Sequence, residues 1–163
     1  MTLLIGCRNE NMRADPNPDE KYTVTSDLYT FHADSEKYQE VNVRRAQENL
    51  CNFSWEILNV SREGNILIVD ISRPKDCDVT YEIIWDGAIM ESYPMMANIF
   101  LNAVSESCSD QHETITDELV IDLEGSFKDI PKSTLDNTSF TIRDVCSLTD
   151  VQCVDDCNVA VSN

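Results

Sequence analysis

At 163 residues the chain is long enough to form one domain with a sizeable core of its own. Thirty acidic residues against twelve basic ones give a formal charge of −18, a surface that repels nucleic acid and anionic membrane and steers basic proteins toward it. No apolar run approaches the about 18 residues of a membrane-spanning helix, so membrane insertion is not expected.

Residues 1–21 read as a tail or linker, with the proline-punctuated stretch Asp15-Pro16-Asn17-Pro18-Asp19-Glu20 as an irregular lead-in. Residues 22–163 read as a single domain. Tyr22 to Phe31 is a first strand, His32 to Glu40 a polar connection, and Val41 to Gln47 a weak strand with Arg44 and Arg45 on opposite faces. Cys51 to Ser72 is the clearest element, a β-hairpin. Phe53, Trp55 and Ile57 alternate with Ser54, Glu56 and Leu58 along its first arm. Leu67, Val69 and Ile71 alternate with Ile66, Ile68 and Asp70 along its second, and residues 59–65 are expected to form the turn.

Val79 to Trp85 is another strand, with Tyr81, Ile83 and Trp85 on one face and Glu82 on the other. From Ser92 to Val104 the apolar spacing becomes helical: Met95, Met96, Ile99, Phe100, Ala103 and Val104 form one stripe behind Ser92 and Pro94. Strand periodicity returns at Ile115 to Phe127, with Leu119 and Ile121 inward and Val120, Asp122 and Glu124 outward, and again at Ser139 to Val145. A short segment over 148–154 closes the chain. About seven strands and one short amphipathic helix predict an all-β fold, a two-sheet antiparallel β-sandwich.

Seven cysteines spread along the chain accompany sequons at Asn52, Asn59 and Asn137, the combination expected of a secreted glycoprotein with disulfide bonds. Three bridges and one spare thiol, Cys7, is the simplest count. A metal site at Cys146, Cys153 and Cys157 is the rival, weakened by the lack of a nearby histidine. Met1 to Ile5 is too short for the apolar core of a signal peptide, so the chain is expected to be a mature fragment or the C-terminal domain of a longer secreted protein.

Catalytic constellations are scarce. His112-Glu113-Thr114-Ile115-Thr116 begins like a zincin helix but lacks the second histidine, and no nucleophile elbow or Walker loop is present. No enzyme activity, cofactor or metal is expected. A binding surface fits better, because the outward positions collect Glu56, Asp70, Glu82, Asp122 and Glu124 around the aliphatics Ile66, Ile68 and Val120. An apolar centre rimmed by one sign of charge offers area for affinity and field for association rate.

Two stretches carry a resemblance to a known family. LCNFSWEILNVSREGN, followed by an aliphatic strand, and the late SFTIRDVC resemble the secreted chemokine-binding proteins of poxviruses, above all the SECRET domain at the C-terminus of viral tumour-necrosis-factor-receptor homologues. The resemblance covers residues 38–72 and 138–157; the long acidic insertion of the larger family members is missing. It implies an acidic β-sandwich that serves viral immune evasion by sequestering host chemokines on one sheet, with family contact positions falling near Tyr38, Arg44 and Arg45. Two alternatives stay open: a related viral sandwich that binds another host immune protein, a cytokine or an MHC class I molecule, and a secreted acidic enzyme or enzyme inhibitor.

Overall fold

The computed structural model describes residues 20–108 and 113–153. The tail expected before residue 22 falls almost wholly outside them, as do Cys7, His112 and Cys157. The elements run β1 (Tyr22–Thr25), β2 (Tyr29–Ala33), α1 (Ser35–Arg45), β3 (Glu56–Glu63), β4 (Ile66–Pro74), β5 (Thr80–Trp85) and β6 (Met95–Val104). They continue with β7 (Thr114–Asp122), α2 (Leu123–Ser126), α3 (Lys132–Asp136), β8 (Thr138–Asp144) and β9 (Asp150–Gln152).

Two sheets form an all-β sandwich: a six-stranded sheet in the order β1-β2-β5-β6-β8-β9 and a three-stranded sheet in the order β3-β4-β7. Within the larger sheet, β2 and β5 are parallel, and so are β6 and β8. The antiparallel arrangement expected throughout therefore holds for the small sheet and only in part for the large one. Parallel neighbours need long crossover connections. Here the first crossover contains α1, β3 and β4, and the second contains β7, α2 and α3. The three-stranded sheet is thus assembled entirely from the two crossovers of its partner.

Period-two patterning fills the space between the sheets. Leu67, Val69 and Ile71 of β4, Leu119 and Ile121 of β7, Ile83 and Trp85 of β5, and Phe140 and Ile142 of β8 meet in one core. Each such side chain contributes roughly 1.5–3 kcal/mol on burial. Phe127 sits at its centre, with ring centroids 4.9 Å from Phe31, 4.7 Å from Trp85 and 5.4 Å from Phe140.

Two expected elements change type. Residues 92–104, expected to be the helix, instead contain the strand β6 (Met95–Val104), flanked by β5 and β8. Its apolar residues depart from strict alternation because both faces are covered at Phe100. Ala97, Ile99, Leu101 and Ala103 face the main core, while Phe100 packs on the opposite side of the sheet with Tyr38, Ile84 and Val145. The helix lies instead over residues 35–45, spanning the expected polar connection and weak strand. Asp34 caps α1 by accepting from the backbone N–H groups of Glu36 and Lys37, both at 3.0 Å. Tyr38 is its one buried residue, 4.6 Å from Phe100 between ring centroids, so α1 lies on the outer face of the six-stranded sheet.

Disulfides join Cys51 to Cys146 and Cys77 to Cys108, and Cys153 is disulfide-bonded as well. The rival metal site at Cys146, Cys153 and Cys157 therefore loses two of its thiolates. Among the described residues no helix is long and apolar enough to cross a membrane.

Candidate functional site

The outer face of the three-stranded sheet follows from strand alternation and register. On β4, Ile66, Ile68, Asp70 and Ser72 point away from the core and are half-buried. Across β7 they stand opposite Asp122, Val120, Glu118 and Thr116; across β3 they stand opposite Glu63, Ser61, Asn59 and Glu56. The centre of the face is an aliphatic triplet, Ile66, Ile68 and Val120. Five carboxylates surround it, from Glu56, Glu63, Asp70, Glu118 and Asp122, and no lysine or arginine occupies an outward position of these three strands. Helix α1 lies on the other sheet, and Leu123, Phe127 and Leu135 around α2 and α3 turn into the main core. The triplet therefore stays partly open to solvent.

Local chemistry fixes this face. The hairpin between β3 and β4 turns on two residues, Gly64 and Asn65, between the paired Glu63 and Ile66. Gly64 has φ 59°, the positive value that a glycine-first hairpin turn requires. Strand β3 therefore extends five residues further than the sequence indicates, and residues 59–63 of the expected long turn are strand. Glu63 was missed for that reason, although Gly-Asn between apolar runs is itself a hairpin signal. A bulge between Ile57 and Asn59 inserts Leu58, which is 51% exposed. The bulge brings Asn59 onto the outer face, where its side-chain amide donates to the Asp70 carboxylate at 3.4 Å.

At the far end, Asp122 accepts from the Gly125 N–H at 3.1 Å and caps α2. A side chain on Gly125 would collide with this carboxylate, its Cβ only 2.6 Å from Asp122 Oδ2. Glu124 accepts from the Asn65 side chain at 2.8 Å, so the hairpin turn and the end of β7 are tied together. Tyr29 of the larger sheet meets the Ser126 hydroxyl at 2.8 Å and accepts from the Asp122 N–H at 3.2 Å.

Between the sheets, Arg73 of β4 makes a two-pronged ion pair with Asp117 of β7, and Tyr81 of β5 donates to the same carboxylate at 2.7 Å. Burial raises the Asp117 pKa, but the bonds from Arg73 and Tyr81 outweigh it and hold the carboxyl below the ordinary range. Arg62 is buried in the core, donating to the Thr138 carbonyl at 2.9 Å with its guanidinium over the Phe140 ring.

Glu124, expected as an outward position of a strand running to Phe127, lies in α2 because β7 ends at Asp122, and four further expected site residues lie elsewhere. Glu82 belongs to β5 and hence to the other sheet, where Lys37 reaches it at 3.3 Å and His32 at 3.4 Å. The turn after β4, held by Cys77–Cys108, carries the chain across the sandwich before β5 begins. Tyr38, Arg44 and Arg45 lie on α1, not on a strand. Tyr38 is buried and accepts from Arg143 at 3.2 Å. Arg44 lies exposed between Glu40 and Glu48. Arg45, its side chain 5% exposed, donates to the Asp144 carbonyl at 2.8 Å and pairs with Asp150 at 2.9 Å. Successive residues are about 100° apart on a helix, which places the two arginines in these different surroundings. Arg45 and Arg143 both lie over the Phe100 ring, at 5.0 Å and 4.7 Å, so this basic cluster pins α1 to its sheet.

The sequon asparagines Asn52, Asn59 and Asn137 are all exposed. Asn59 was expected in a surface turn and is instead an outward position of an edge strand. Among the described residues, no group of three or more His, Cys, Asp or Glu side chains is placed to hold a metal ion.

No protein-family model, no curated protein and no solved structure matches this chain.

Proposed function

We propose that the outer face of the three-stranded sheet binds a small basic protein of the chemokine class and that the domain acts as a secreted decoy. One observation carries the reading: Ile66, Ile68 and Val120 form a half-buried aliphatic centre within a rim of five carboxylates that, among the described residues of these strands, includes no cation. Desolvated aliphatic contact supplies the slow dissociation of such a complex, and the unopposed negative rim supplies fast, salt-sensitive association. The formal charge of −18 extends the same field over the whole molecule. Resemblance to the poxvirus chemokine-binding proteins supports the choice of partner. The two stretches that carry it are joined by the Cys51–Cys146 bond.

Surface plasmon resonance against a panel of basic chemokines, at low and physiological salt, tests the proposal. Binding is expected for at least one member, with association slowed by salt. The double substitution Glu63→Gln and Glu118→Gln, at two exposed positions outside the α2 cap, is expected to slow association and flatten its salt dependence. A panel that shows no binding, while a cytokine or an MHC class I molecule binds, would replace the partner class.

A further inference from the structure

One end of the proposed face runs into a cavity of about 490 Å³ between the two sheets, within the range of small-ligand sites. Glu56 and Ser72, which pair across β3 and β4 on the outer face, also line this cavity. Asp144, Ser147 and Thr149 line it from the other sheet and its last loop, and among the described residues no lysine or arginine contributes to its wall. The Asp144 side chain is anchored, accepting from the Cys146 N–H at 2.6 Å and the Ser147 hydroxyl at 2.9 Å. Trp55 also lines the cavity while only 6% exposed, and among the described residues its indole Nε1–H has no acceptor.

We propose that this cavity takes a basic side chain, arginine or lysine, of the protein bound on the adjoining face. Its cationic head is taken by Glu56 and Asp144, and its aliphatic stem lies along Trp55. The inference rests on the reading of the face as a docking surface for a basic protein, and it adds an anchor to that surface. Hot spots of protein interfaces are enriched in arginines that fill desolvated pockets. The geometry here is suited to such a residue: carboxylates for the charge, hydroxyls for the remaining donors, and an indole wall for the aliphatic stem.

The cavity can be tested without any partner protein. Nα-acetyl-arginine methylamide is titrated into the isotope-labelled chain, with the citrulline analogue as its neutral counterpart. The Trp55 indole resonance, assigned with Trp55→Phe, serves as the reporter. A saturable shift is expected with the arginine probe, and affinity about tenfold weaker or less with citrulline, the ratio set by one charge-assisted hydrogen bond. Glu56→Gln should weaken the arginine probe by a similar factor, and Thr149→Lys, which places a cation at an exposed rim position, should abolish it. Equal affinity for the two probes, a Trp55 signal that never moves, or binding indifferent to both substitutions would overturn the proposal. Because the probe carries no docking surface of its own, failure of the cavity and failure of the face are read separately.

Discussion

At the residue scale, the polar groups between the sheets make the clearest forecasts. Asp117 is held by Arg73 and Tyr81, groups from two other strands, one of them in the opposite sheet. Its carboxyl titrates below the ordinary value in the folded chain. That contribution is complete above the unfolded carboxylate value of about 4 and disappears as pH falls through the lower folded value. Asp86 and Asp144, raised by burial, act in the opposite sense and lose stability as pH climbs from the unfolded to the folded value. Replacing Asp117 with Asn should cost about 2 kcal/mol at neutral pH, the worth of hydrogen bonds to a charged group. The loss should shrink in acid. Urea unfolding of both proteins between about pH 7 and about pH 2 measures it; a loss independent of pH would mean that shape, and not charge, matters at this position.

At the element scale, the parts legible in the sequence are those that bury one face only. Strands β4, β7 and β8 carry a core residue at every second position through their centres, and Leu67, Val69, Ile71, Leu119, Ile121, Phe140 and Ile142 are core as the pattern requires. Strand β6 was illegible because α1 covers its second face, so that Phe100 is apolar where alternation demands a polar residue. Helix α1 was illegible for the converse reason: Tyr38 is its one buried apolar residue, and most of its other side chains are polar or charged. Its cap was readable, with Asp34 just ahead of Glu36 and Lys37, and Asp34→Ala should lower stability by about 1 kcal/mol in thermal or urea unfolding. The site was half legible. Alternation identifies the outward residues of β4 and β7, but it cannot say which sheet β5 joins, and so Glu82 was misplaced. The bulge at Leu58 is equally invisible to a two-residue period, and it puts Asn59 beside Asp70 on the proposed face. A glycan on Asn59 would stand where the partner docks. Chain made in glycosylating cells with Asn59 occupied should bind basic chemokines more weakly than Asn59→Gln from the same cells. Equal binding would move the docking surface away from β3.

At the scale of the whole molecule, the small sheet depends on the large one for its existence, because both of its segments are crossovers of the larger sheet's parallel pairs. The Cys51–Cys146 bond closes the longest covalent loop described, with a sequence separation of 95, and it links the start of β3 to the end of β8. Its removal by paired serine substitutions should cost about 2–5 kcal/mol and loosen the two sheets together. One surface of this assembly remains apolar at its centre and acidic at its rim, and Ile68 is the middle of that surface, between Ser61 on β3 and Val120 on β7. Substituting Ile68 by Asp is the most direct test, read by surface plasmon resonance against basic chemokines beside a thermal melt. The expected result is a melting temperature near that of the parent, an outward half-buried position being tolerant, with dissociation accelerated by about 2 kcal/mol in affinity. Unchanged affinity in a folded Ile68→Asp chain, or a chain that no longer folds, would contradict the assignment of this face as the binding site.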